Sequence, residues 1–205
     1  MNEQAAREEL VALGASLFQR GFSVGSAGNI SVRLADGYLM TPTNSSLGRL
    51  DAARISRLDA NWAHVGGDRP TKEVFLHRAF LTARPDAGAV VHLHSTHATA
   101  ISCLDGVIPP LTPYFVMRAG RDIPLIPYYR PGDAAMEPAI HAAALRAKAV
   151  LLANHGPVIC GPTLADAVNA AEELEEAARL ALLLHGRNPR LLTPGQVDDL
   201  LQTFG

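Results

Sequence analysis

The chain has 205 residues, 48% of them hydrophobic and 19% charged, which suits a folded globular protein and excludes a disordered one. A net charge of −2 excludes the broad basic field of a nucleic-acid-binding surface, although a single arginine can still meet one anionic group. Cys103 and Cys160 form no C-x-x-C pair, the opening MNEQAAREEL lacks a signal-peptide pattern, and no apolar run approaches the roughly 18 residues of a spanning helix. These features lead us to expect a cytoplasmic chain of one domain over residues 1–205, with no membrane or nucleic-acid partner.

In chain order, residues 3–20 predict an amphipathic helix. Leu10, Leu13, Leu17 and Phe18 recur at helical spacing, and Asn2 offers an N-cap. GFSVGSAGN (21–29) is loop. ISVRL (30–34) alternates, Asp36-Gly37 turns the chain, and YLMT (38–41) returns as the second strand of a hairpin. TPTNSSLG (41–48) is a second polar loop. TKEVFLHRAFLTARP (71–85) carries a helical stripe of Val74, Leu76, Phe80 and Leu81, closed by Pro85. AVVHLH (89–94) reads as a strand, and STHATAISCL (95–104) as a helix with Ser95 at its N-cap. IPLIPYY (123–129) is predicted as an edge strand, because proline cannot donate to a ladder. AAMEPAIHAAALRAK (134–148) is a helix with Pro138 in its first turn. AVLLAN (149–154) and PVICG (157–161) are short strands, residues 164–185 a long helix, and 195–203 a last short one. This irregular alternation predicts a layered α/β domain around a mainly antiparallel or mixed sheet.

VVHLHSTHAT (90–99) concentrates His92, His94 and His97. Side chains alternate on a strand, so His92 and His94 share a face while Leu93 turns to the core. Two neutral imidazoles about 7 Å apart, at roughly 3.3 Å per residue, can lean on to one zinc-like ion. The same pair also suits satisfied histidines at a strand end. His97, on the next helix, need not join them. His155 follows an apolar strand and precedes Gly156, in the kind of strand-end loop where sites are built. Alone it suits a turn, and with His92 and His94 it makes a tri-histidine set.

Glu73 falls in the first turn of its predicted helix, where the dipole favours a carboxylate, and Thr71 with Glu73 equally reads as helix-start capping. The loops GSAGN (25–29), TPTNSS (41–46) and PTK (70–72) offer backbone N–H groups and hydroxyls to an oxyanion, and Lys72 adds positive potential. GSAGNIS lacks the G-x-G-x-x-G spacing of a dinucleotide fingerprint. Tyr114, Tyr128 and Tyr129 read as structural or interface residues, and the two cysteines as small apolar residues. His64, His77, His141 and His185 receive no role.

The ordered set Gly28-Asn29, Thr43-Asn44, Thr71-Lys72-Glu73, His92-x-His94 and Asn154-His155-Gly156 resembles the class II aldolase/adducin family over nearly the whole chain. The resemblance implies that family's fold and one Zn²⁺ per chain, held by Glu73, His92, His94 and His155, with Glu73 as the catalytic acid/base. It implies that Gly28, Asn29, Thr43, Asn44, Thr71 and Lys72 hold a phosphorylated sugar or sugar acid. It further implies a homo-oligomer, a homotetramer, with Tyr114 and Arg118 reaching a neighbouring subunit's site. Two positions depart from the aldolase pattern: Lys72 stands where a second serine usually precedes the glutamate, and Thr43-Asn44 replaces T-G or T-S. Seven stretches, TPTNSSLGRLD, GDRPTKEVFLH, VVHLHSTHATA, LTPYFVMRAG, LIPYYRPGD, LLANHGPVI and GRNPRLLTP, are similar to a subgroup of four-carbon sugar-acid catabolism. That subgroup decarboxylates 3-oxo-tetronate 4-phosphates to dihydroxyacetone phosphate. Sugar-phosphate aldolases, pentulose-phosphate 4-epimerases and metal-free adducin-like modules are the alternatives within the family. The filled ligand set counts against the last.

Overall fold

A hairpin forms where it was expected in the computed structural model, which describes residues 2–204, although Ala35 and Asp36 make the turn and Gly37 already opens the second strand. Strand β1 (Asn29–Leu34) pairs antiparallel with β2 (Gly37–Met40). The sheet extends outward through β3 (Ser56–Asp59) and β4 (His64–Gly66), and inward through β5 (Ala89–His92). It continues through β8 (Gly156–Gly161) and β7 (Ala149–Leu152) to β6 (Leu125–Ile126) at the far edge. The order is β4-β3-β2-β1-β5-β8-β7-β6, and only the β6–β7 pair is parallel. This is the layered α/β fold with a mixed, mainly antiparallel sheet.

Strand alternation sorts the core into two layers. On one face Ile30, Val32, Leu39, Val91, Leu151 and Ile159 pack against helices α1 (Glu3–Gln19), α3 (Thr96–Ser102), α4 (Pro113–Ala119), α6 (Leu164–Leu183) and α7 (Pro194–Phe204). On the other Tyr38, Met40, Val90, Val150 and Val158 meet α2 (Val74–Ala83) and α5 (Glu137–Ala144). Leu76 and Phe80 of α2 are completely buried in that second layer. Each is worth about 1.5–3 kcal/mol on burial, and together they fix the helix over β1 and β5.

Apart from shifts of a few residues at element ends, the structure departs from the sequence reading in four places. The strands β3 and β4 were not expected; their hairpin carries exposed His64 and Val65 and is half-buried, so its hydrophobic signal is weak. Helix α4 was not expected either, since PYFVMRA is short and rich in β-favouring residues, yet Thr112 caps it through the Phe115 N–H. The edge strand at IPLIPYY shrinks to Leu125–Ile126, as its prolines dictate. Helix α2 begins at Val74, so Glu73 stands just before the helix and not in its first turn.

A backbone crossing holds the two strand ends of the centre together. Gly156 has φ +150°, and a Cβ there would lie 2.3 Å from the carbonyl oxygen of Leu93. Gly156→Ala must therefore push β8 away from the end of β5. The expected cost is at least about 2 kcal/mol, the scale of a strained backbone with a steric clash. The expected result in calorimetry is a lowered Tm together with weakened metal binding; a wild-type Tm would show that the crossing can relax.

Candidate active site

The centre arises where a period of two meets a period of four. On β1 the alternation turns Asn29 and Ser31 towards α2, and on β5 it turns His92 the same way. The antiparallel register sets Asn29 directly opposite His92. Above them, Glu73 and His77 are one helical turn apart, and both face the sheet through hydrogen bonds to Asn29.

Three histidines converge on this point. His92 and His94 hold the same-face relation expected of a strand, although β5 formally ends at His92. His155 sits in the tight turn between β7 and β8, between Asn154 at φ +58° and Gly156. The Thr99 hydroxyl of α3 donates to the His155 carbonyl, and the Asn154 N–H to that of Ser102, which anchors the turn. His94 Nε2 lies 3.1 Å from His92 Nε2 and 3.0 Å from His155 Nε2. Glu73 completes the group, with Oε2 3.6 Å from His92 Nε2 and Oε1 3.8 Å from His155 Nε2.

Proton bookkeeping shows that this arrangement suits a cation. His92 Nδ1 donates to the Pro157 carbonyl at 2.9 Å, so the Nε2 of the neutral ring presents a lone pair. Burial is the main cause that pushes His92 down to about 3, and it is also the main cause lowering His94 and His155. Neutral imidazoles are metal ligands. With three neutral rings, His94 Nε2 cannot make good hydrogen bonds to both neighbours, and the buried Nδ1 of His155 has no partner among the described residues. A tetrahedral shell with bonds of about 2.0–2.1 Å sets its ligand atoms about 3.4 Å apart. Four of the separations, from 3.0 to 3.8 Å, bracket that value, and the three imidazole ligand atoms all lie within 4.8 Å of one another.

Glu73 does not cap its helix. It makes no capping bond, and the Thr71 hydroxyl accepts from the Glu73 N–H instead. Its carboxyl lies below the ordinary carboxylate range. Burial acts to raise it, but attraction to His92, the Asn29 hydrogen bond and attraction to His155 and His77 prevail.

The polar loops predicted from sequence meet at the mouth. Thr43 N–H donates to the Arg69 carbonyl and Thr71 N–H to that of Thr41, tying the 41–46 and 70–72 loops together. Gly28, Asn29, Thr43, Asn44, Thr71 and Lys72 all line one cavity of about 390 Å³, together with Glu73 and His94. Gly28 has φ +80°, and a Cβ there would stand 3.0 Å from the His92 carbonyl oxygen. The side chain of Asn29 is largely engaged with Glu73 and His77, leaving one N–H free.

His97 turns away. Its ring and backbone N–H bond Glu175 of α6, which also accepts from the Ala98 N–H and so caps α3. Tyr114 is exposed, and Arg118 lines a different cavity with Lys148 and Gly161, at the opposite end of β8 from Gly156. The residue that sequence reasoning passed over is His77, completely buried between Ser31 and Asn29. Its signal was a histidine between Leu76 and Phe80 on a buried helix face, four residues after Glu73.

The fold and the site together define a class: a layered α/β protein whose buried three-histidine and carboxylate cluster opens on to a cavity lined by amides and hydroxyls. The chain belongs to the class II aldolase and adducin family; the Class II Aldolase and Adducin N-terminal domain matches residues 8–182. A 3-oxo-tetronate 4-phosphate decarboxylase of Escherichia coli strain K12 is 50% identical over 204 residues, 97% of this chain and 96% of that one. An L-fuculose phosphate aldolase of the same strain is 38% identical over 162 residues, 79% of this chain and 75% of that one. The crystal structure of YgbL from Klebsiella pneumoniae superimposes with a TM-score of 0.93 at 50% identity, covering 98% of this chain and 99% of that chain.

Burial gives His77 a measurable signature. Its pKa is pushed down from 6.5 to about 4 by burial, with the Glu73 carboxylate opposing. Below 6.5 the unfolded chain binds a proton there that the folded chain refuses, so stability falls as pH drops from 6.5 to about 4. Relative to His77→Gln, the metal-free wild type is expected to lose about 3 kcal/mol of unfolding free energy between about pH 7 and about pH 4. Urea denaturation across that range reads the difference, and parallel pH profiles would contradict it.

Proposed function

We propose that this chain is a zinc-dependent decarboxylase that converts a 3-oxo-tetronate 4-phosphate to dihydroxyacetone phosphate and CO₂. The observation that carries the reading is the convergence of three imidazole Nε2 atoms beside the Glu73 carboxylate, under the cavity that the polar loops share. It is supported by a relative of that name, half identical over nearly the whole length of both chains. His92, His94, His155 and Glu73 would hold the ion, and three nitrogens with one carboxylate suit zinc. When bound, zinc supplies Lewis-acid stabilisation for the negative charge that builds on the C3 ketone oxygen.

Loss of CO₂ breaks the C1–C2 bond and leaves its electron pair shared between C2 and the C3 oxygen. One proton must then reach C2. Glu73 carries that proton in this reading: a buried carboxylate facing the cavity takes it from solvent water and passes it to C2. The Asn44 N–H and the hydroxyls of Thr43 and Thr71, over the bare floor at Gly28, hold the 4-phosphate with the Lys72 ammonium at the rim. That remote binding orients the C1–C2 bond. A sugar-phosphate aldolase is the second reading, favoured by the 38% identical fuculose phosphate aldolase. It would use the same machinery with an aldehyde as the leaving group.

The enzyme is read further as a homo-oligomer, a homotetramer, in which Tyr114 and Arg118 serve a neighbouring chain's cavity, since Arg118 lines another one in its own chain. It is placed in the cytoplasm. Among the described residues, no helix is long and apolar enough to cross a membrane.

Incubation of the zinc-loaded enzyme with both C2 epimers of 3-oxo-tetronate 4-phosphate is expected to release CO₂ and dihydroxyacetone phosphate from one of them. Glu73→Gln is expected to lower kcat at least about 10³-fold, in the range of a lost general acid/base. Release of an aldehyde from a sugar phosphate without CO₂ would establish the aldolase reading instead. Lys72→Ala is expected to raise KM about tenfold with little change in kcat, the mark of lost ground-state binding. An unchanged KM would remove Lys72 from phosphate binding.

A further inference from the structure

Behind Glu73 the buried polar groups form a single file that the decarboxylation scheme leaves unused. Ser31 Oγ lies 2.8 Å from His77 Nδ1, His77 Nε2 meets Asn29 Oδ1, and Asn29 Nδ2 donates to Glu73 Oε2 at 2.8 Å. Ser31 and His77 have no exposed surface, and Asn29 and Glu73 retain only about a twentieth of theirs.

The direction of every bond in the file is forced. A carboxylate only accepts, so Asn29 turns its NH₂ to Glu73 and its carbonyl oxygen to His77. That oxygen also only accepts, so His77 Nε2 carries a proton whatever the charge of the ring. In the neutral ring Nδ1 then holds a lone pair and accepts a hydrogen bond from the Ser31 hydroxyl. The Asn29 amide is thereby read twice, once at each end. Turned by half a rotation, it would set an oxygen against the carboxylate and an NH₂ against the His77 N–H.

We propose that His77 and Ser31 are positioning residues that lock the Asn29 carboxamide so that it pins Glu73 Oε2 and leaves Oε1 as the oxygen that moves the proton. Among the described residues Oε1 accepts no hydrogen bond, and His155 Nε2 stands 3.8 Å from it. The proposal rests on the proton-carrying role given to Glu73 above.

Two measurements on the zinc-loaded enzyme test it. The first is long-range ¹H–¹⁵N correlation of histidine-labelled wild type, where His77 is expected as the neutral Nε2–H tautomer; an Nδ1–H tautomer would overturn the file. The second is exchange of the hydroxymethyl hydrogens of dihydroxyacetone phosphate in D₂O, a proton transfer that breaks no carbon–carbon bond. His77→Gln, which retains a donor near Nε2, is expected to exchange within about threefold of wild type, whereas His77→Leu should slow it about 10- to 100-fold at unchanged KM, the usual effect of losing an outer hydrogen-bond partner. Ser31→Ala, a smaller change if His77→Leu fails to fold, should slow exchange several-fold. Exchange by wild type and equal exchange by both His77→Leu and Ser31→Ala would overturn the proposal alone. No exchange by wild type would remove the Glu73 reading and the proposal with it.

Discussion

In the antiparallel pairing of β1 with β5, Asn29 stands opposite His92, and this register underlies the rest of the centre. Side chains on a strand have a period of two, so a slip of one residue in β1 would send Asn29 and Ser31 into the opposite core layer. The hydrophobic residues prevent that slip. Ile30 and Val32 must enter the layer under α1 and α6, which leaves Asn29 and Ser31 facing α2. The polar site is thus placed by its apolar neighbours.

Burial then sets the electrostatics. His77 and His92 are fully buried and held neutral at ordinary pH, since an unpaired charge there would lack hydration. Glu73 is held below the ordinary carboxylate range, the Asn29 N–H that donates to it opposing the cost of its burial. The result is one negative group among neutral nitrogen donors, a set whose needs a divalent cation meets. The open side is different in kind: Lys72 is exposed at the rim, and its loops present hydroxyls and backbone groups to solvent. The structure therefore separates a dry centre from a wet mouth, as a reaction with a remote anionic handle requires.

Much of this was legible in the chain. Apolar periodicity located α1, α2, α5 and α6 within a few residues, because each buries a continuous stripe in one layer. Asp36-Gly37 located the hairpin to within a residue: Ala35 and Asp36 make the turn, and Gly37 opens β2 at φ +153°. Strand alternation singled out His92 and His94 and set His97 aside, and the structure accounts for His97 through Glu175 of α6, a partner 78 residues away. The half-exposed β3–β4 hairpin and short α4 escaped because neither buries a long periodic face. His77 escaped because its partners, Ser31 and Asn29, lie more than forty residues earlier in the chain.

By itself the sequence determined the local chemistry. It set which residues alternate, where glycine must turn the chain, and which histidines share a face, since these follow from bonds and sterics over a few residues. Whether Glu73 caps a helix or faces three imidazoles was decided only by the tertiary structure, which left the start of α2 without a side-chain cap and brought β1, β5 and the β7–β8 turn under α2. The physical reason is that a local hydrogen bond and a long-range contact competed for one carboxylate. The contact between distant strands prevailed because the packing of both core layers holds it in place.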